Sequence, residues 1–187
     1  MLERARGIEG IDWVEGAVED WAPDVPVDLV FSNAALQWVD DHDTLFPRLT
    51  GQLASGGVLA IQMPRNHAEP SHTILAETAR SDRWKGAMGG VSRGVPVAKP
   101  EDYWRILRDL VADVDIWETT YLQVLEGEDP VAAWTRATGA RPYLAAAGDD
   151  AEAFFADYTA RLRAAYPKQA DGSTLFPFRR LFIVARR

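Results

Sequence analysis

Residues 27–38, VDLVFSNAALQW, constrain the fold more than any other part of the chain. Val27, Leu29, Val30 and Phe31 form a short apolar run, bounded before by Pro23 and Pro26 and after by Ser32 and Asn33. An apolar run of that length between turn signals reads as a buried strand. Residues 41–53 then carry Leu45, Phe46, Leu49 and Leu53 at helical spacing, so the stretch is the strand, loop and helix start of an α/β unit. In open α/β sheets ligands lie beyond the carboxyl ends of strands, which makes 32–38 the first place to look for a site.

The rest of the chain extends this pattern. Residues 1–6 read as the end of a helix stopped by Gly7, and 11–14 as a short strand. Ser55, Gly56 and Gly57 end the helix over 41–53, and 58–63 (VLAIQM) is a second buried strand closed by Pro64. The continuous apolar character of these strands favours a parallel sheet covered on both faces. Residues 71–80 read as a helix, the Gly- and Arg-rich 81–96 as a mobile loop or lid, and 100–111 as a helix opened by Pro100, Glu101 and Asp102. Residues 113–125 alternate as a strand with one wetter face, helices follow near 130–138 and 149–165, and 180–185 form a last strand. The whole is one α/β domain over 1–187, with a helical insertion over 126–175 that could cap the sheet's carboxyl edge.

Composition excludes several chemistries. With no cysteine there is no thiol nucleophile, disulfide or cysteine metal site, and three scattered histidines give no metal spacing. No run approaches the roughly 18 apolar residues of a membrane span, and the first ten residues hold no signal core, so the expected location is the cytoplasm. The net charge of −8 is uneven: residues 1–64 carry −8, 65–129 carry −4 and 130–187 carry +4. The acidic first part argues against nucleic acid, whereas the basic last part suits a small anionic substrate. Oligomeric state is not legible.

The segments FSNAALQWVDDHDTLFPRLTGQLASGGVLAIQMP, VDIWETTYLQVL, ATGARPYL and FRRLFIVARR carry a resemblance. Together they resemble the trans-aconitate 2-methyltransferase family, within the class I S-adenosylmethionine-dependent methyltransferases. The resemblance implies a Rossmann-like sheet of order 3-2-1-4-5-7-6, S-adenosyl-L-methionine as cofactor, and methyl transfer to a carboxylate of a small polycarboxylate. The family's glycine-rich D-x-G-x-G-x-G turn and the acidic end of its second strand have no counterpart in these residues. The chain is therefore expected to be a family member lacking its first two strands, and to bind the cofactor weakly or not at all by itself. Methylation of a different small molecule, and an inactive or binding-only remnant, are the alternatives.

The resemblance also assigns candidate residues. Ala17 falls at the family's adenine-contacting acid, with Val18 beside it. Asp20 and Trp21 could take over that role, or be a solvated acid next to a packed tryptophan. Asn33 and Ala34 fall where the backbone meets the methionine end of the cofactor, and Gln37 and Trp38 face the methyl group or the substrate. Gln62 is a polar residue where a buried strand should be apolar, which marks it for the substrate. Arg141 and Arg180 are the first choices for binding carboxylates, since the guanidinium fork matches them, with Arg179 third. Arg136, Arg161 and Arg163 read as helix surface charges, His67 and His72 as isolated surface histidines, and Tyr121, Trp134 and Tyr143 as core or pocket aromatics. A carboxylate is ionised at neutral pH, so no catalytic base is expected, only positioning.

Overall fold

The computed structural model describes residues 7–91 and 97–187. Among them, four strands form one sheet: β1 (Val27–Asn33), β2 (Leu53–Pro64), β3 (Asp113–Leu125) and β4 (Thr174–Arg186). Their order is β1-β2-β4-β3, with β1 and β2 parallel and the other two pairings antiparallel. That is the 4-5-7-6 portion of the order implied above. The expected helix end over residues 1–6 lies outside the described residues.

The first helix, α1 (His42–Gly51), starts where Asp41 accepts a hydrogen bond from the Thr44 amide at 3.2 Å. Its apolar stripe of Leu45, Phe46 and Leu49 is buried against Leu59, Ile61 and Met63 of β2 and Leu181, Ile183 and Ala185 of β4. Helix α4 (Pro100–Leu107) adds Tyr103 and Leu107 to the same core. The turn expected at Ser55, Gly56 and Gly57 is instead a kink inside β2. Its register against β1 slips there, Val27 facing Leu53 but Leu29 facing Val58. A Cβ on Gly57 would lie 3.0 Å from the carbonyl oxygens of both Ala54 and Val27, so any side chain there would have to push both strands back by a few tenths of an ångström.

Several expectations are corrected. Residues 11–14 form no strand: Ile11 and Val14 are exposed and find no pairing partner. Among the described residues the sheet is covered on one face only. Alternate residues of β1, Leu29 and Phe31, are 56% and 69% exposed. Residues 81–91 are not a loose lid. Trp84 and Met88, around the short helix α3 (Lys85–Met88), are buried, with Trp84 edge-on to Phe154 at 5.4 Å. The remaining lid residues, 92–96, lie outside the described residues. His67 and His72 are not isolated, their rings lying 5.5 Å apart.

Between β3 and β4 the chain forms α5 (Pro130–Arg136), α6 (Arg141–Ala147) and α7 (Ala151–Ala165). They pack with α2 (Pro70–Arg80) and α3 around a second core that holds Leu75, Val131, Phe154, Tyr158 and Phe176. The Tyr158 hydroxyl ties this layer together, donating to the Ser71 carbonyl at 2.7 Å and meeting Thr135 Oγ1 at 3.1 Å. Trp134 and Tyr143 belong to this core. Because β2 runs into the layer and β4 leaves it, the second core stands at the carboxyl end of the parallel strands.

Candidate functional site

At that end, β1 stops at Asn33 and the backbone turns sharply: Ala34 takes φ +53°, left-handed and unfavourable for a residue with a Cβ. The Ala34 amide donates to the Gln62 carbonyl at 2.9 Å, and Gln37 Nε2 donates to the Ala34 carbonyl at 2.8 Å. From the covered side, His42 Nε2 donates to the Leu36 carbonyl at 2.9 Å while its Nδ1 meets the Tyr103 hydroxyl at 2.7 Å. A carbonyl can only accept, so Nε2 carries the proton and Nδ1 accepts from tyrosine when the ring is neutral. Burial pushes the Tyr103 hydroxyl up to about 12, which keeps it a donor.

Beside this turn is a cavity of about 370 Å³ lined by Asn33, Gln62, Tyr121, Gln123, Arg180 and Phe182. The strand register builds it: Gln62 faces Asn33 across β1 and Phe182 across β4, and Pro64 faces Arg180. Arg180 Nη1 donates to Gln62 Oε1 at 2.8 Å, and its guanidinium lies 5.1 Å from the Phe178 ring centre and 5.8 Å from that of Tyr121. Gln62 is 6% exposed, yet its Nε2 has no hydrogen-bond partner. Among the described residues Arg180 has no carboxylate partner, and the lining contains no acid. The cavity is thus one cation with amide and hydroxyl groups around it, in a chain of net charge −8.

The structure brings Asn33, Gln62 and Arg180 into one cavity, with Ala34 and Gln37 in the adjoining turn. It does not bring in the others. Trp38 is 78% exposed beyond the turn, and Arg141 is exposed at the start of α6 and does not line the cavity. Ala17, Val18, Asp20 and Trp21 form a turn on the covered side. Arg48 of α1 fastens it by donating to the Trp21 and Val18 carbonyls at 2.7 and 3.2 Å, while Ala17 and Asp20 stay exposed. Arg179 is spent on Glu69 at 3.1 Å. Arg136 pairs with Glu152 and Arg163 with Asp129, as helix surface charges do. Gln123 and Phe182 were missed by sequence reasoning. The signal for Gln123 was its place two residues after Tyr121, on the same face of β3. Among the described residues no acid and histidine cluster could hold a metal, and no helix is long and apolar enough to cross a membrane.

The fold is similar to that of the YcgJ protein from Bacillus subtilis, with TM-score 0.55 and 11% identity over 100% of this chain and 75% of that one. It is also similar to a structure described as a candidate methyltransferase from Bacillus halodurans, with TM-score 0.53 and 14% identity over 99% and 75%. Residues 1–61 match the family model described as "Methyltransferase domain". The sheet order and these likenesses define a class I methyltransferase fold. Proteins named trans-aconitate 2-methyltransferase are 44% identical in Azoarcus sp., 46% in Rhizobium rhizogenes and 48% in Streptomyces coelicolor. The matches cover 99–100% of this chain and 74%, 73% and 65% of those relatives. The chain belongs to the trans-aconitate 2-methyltransferase family.

Proposed function

We propose that the chain carries the acceptor side of an S-adenosylmethionine-dependent methyl transfer to a carboxylate of trans-aconitate, giving a monomethyl ester. The observation that carries this reading is the Gln62–Arg180 pair, an acid-free cationic recess beside the turn at the end of β1. When bound, S-adenosylmethionine supplies an electrophilic methyl group. The residues present fit its methionine end: Asn33, Ala34 and Ala35 are small or polar and exposed.

The chain's residues hold and orient rather than transfer protons. A carboxylate is already ionised at pH 7, so its oxygen attacks without a base, consistent with a cavity that offers no acid or histidine. Arg180 neutralises and aims the substrate. Small anions then find a local positive field within an acidic molecule.

The test is transfer of a labelled methyl group to trans-aconitate, with neutral hydroxyl acceptors in parallel. Transfer to a neutral acceptor and none to trans-aconitate overturns the reading. Arg180→Lys lowers kcat/KM for trans-aconitate by about 10- to 100-fold, because hydrogen bonds to charged groups contribute roughly 1.5–3 kcal/mol.

A further inference from the structure

We infer that Gln62 and Arg180 together form a seat for a carboxylate that is not the one methylated, so that an acceptor must carry at least two. The inference rests on the reading above and adds which part of the acceptor this pair holds. Its foundation is the orientation of one amide. A guanidinium only donates, so the Gln62 oxygen must be the atom facing Arg180 Nη1, and the amide NH2 must point away from it. That NH2 is buried in the cavity lining with no partner. A buried donor without an acceptor is costly, and here the missing acceptor is best supplied by whatever enters.

A carboxylate completes the arrangement. One oxygen accepts from Gln62 Nε2, and the other accepts from guanidinium N–H groups that Arg180 does not spend on Gln62. Charge complementarity holds, since among the described residues Arg180 has no carboxylate partner to displace. A neutral amide or ester in the same place would offer an acceptor but leave the guanidinium without its counter-ion.

Such a seat is poor ground for the reaction itself. Methylation needs a free lone pair on a carboxylate oxygen, and it removes that carboxylate's negative charge. Donors that grip both oxygens and stabilise the anion lower its nucleophilicity and oppose its conversion to an ester. The seated carboxylate is therefore the anchor, and a second carboxylate of the same molecule reacts. The monoester product keeps its anchor and competes with the acceptor.

The test is calorimetric binding to the 187-residue chain of three probes: trans-aconitate, the dicarboxylate glutaconate and the monocarboxylate crotonate. All three bind through one carboxylate in the seat, and with labelled S-adenosylmethionine trans-aconitate and glutaconate accept the methyl group whereas crotonate does not. Gln62→Glu places an ionised side chain opposite Arg180. It keeps or raises the melting temperature while weakening glutaconate binding at least tenfold, a split that a purely structural role for Gln62 does not produce. Gln62→Met, which removes the donor without adding charge, weakens it less but in the same direction. Binding unchanged within twofold in both variants overturns the inference, as does methylation of crotonate as fast as of glutaconate, or no binding of any probe. Methylation of trans-aconitate that is indifferent to Gln62→Glu sinks the seat and leaves the proposed function standing. Gln62-dependent binding of glutaconate without methylation of trans-aconitate does the reverse.

Discussion

The two faces of the sheet are built from the same strands and meet opposite fates. On one, Leu59, Met63, Leu181, Ile183 and Ala185 are fully buried beneath α1 and α4. On the other, one residue along each strand, Leu29 and Phe31 are more than half exposed, and Trp117 and Val184 are 40% and 37% exposed. Residue type does not separate them. What packs on each face does, because burial is a property of the layer and not of the strand. The covered face holds the fold together. The open face carries at its carboxyl end the one recess where Gln62 and Arg180 meet.

The largest expected effect breaks that comparison directly. Leu181→Ala removes a fully buried β4 side chain from the core shared with β2 and α1, and costs about 2–5 kcal/mol through lost burial and the cavity left behind. Val184→Thr, three residues along and on the open face, stays within about 0.5 kcal/mol of the parent chain. Urea unfolding of both variants checks the pair. Equal costs would show that the open face is covered in solution.

Tyr103 sharpens the comparison further, because it is a polar group on the covered side. Its hydroxyl is raised from an ordinary value of 10.0 to about 12, chiefly by burial, and the fold favours its neutral form. That contribution is complete below pH 10 and is lost as pH rises through the folded value. Stability should therefore fall between pH 10 and 12 by an amount approaching roughly 3 kcal/mol from this group alone, each tenfold change in proton affinity being worth about 1.4 kcal/mol. Tyr103→Phe removes this component of the alkaline slope. At neutral pH it also deprives His42 Nδ1 of its partner, and with it the clamp on the Leu36 carbonyl. Denaturant melts at stepped pH check both effects.

The same contrast explains what the sequence made legible. Apolar runs and turn residues are local signals, and they placed β1, the core of β2, β3 and five of the helices within a few residues. A strand also needs a neighbour, which is why the apolar residues at 11–14 read as one and form none. Helix α6 was missed because seven residues opening on Arg141 and Pro142 leave too short a period to detect. Trp84 and Met88 looked like lid residues within a glycine-rich stretch, and only the distant Phe154 makes them core. At the site, Gln62 and Arg180 each stood out alone, one as a polar residue in an apolar strand, the other as an arginine opening the last strand. Their meeting depends on antiparallel register between residues 118 positions apart, which no local pattern encodes.

The smallest expected effect lies where neither packing nor openness decides. At the foot of the helical layer Asp129 receives a fork from Arg163, Nε at 2.8 Å and Nη2 at 2.7 Å. Hydrogen bonding from Arg163 holds the Asp129 carboxyl below its ordinary 3.8, against a small opposing effect of burial. A lowered folded value means the stabilisation is present above pH 3.8 and is lost as pH falls through the folded value. Asp129→Asn should therefore lower stability slightly at about pH 6 and not at all near about pH 2, so the two acid-titration curves converge. Salt should shrink the gap at the higher pH, since the screening length falls to about 3 Å at roughly 1 M. A gap that survives such salt would mean that the pair is held by packing, as on the covered face of the sheet, and not by charge at an exposed surface.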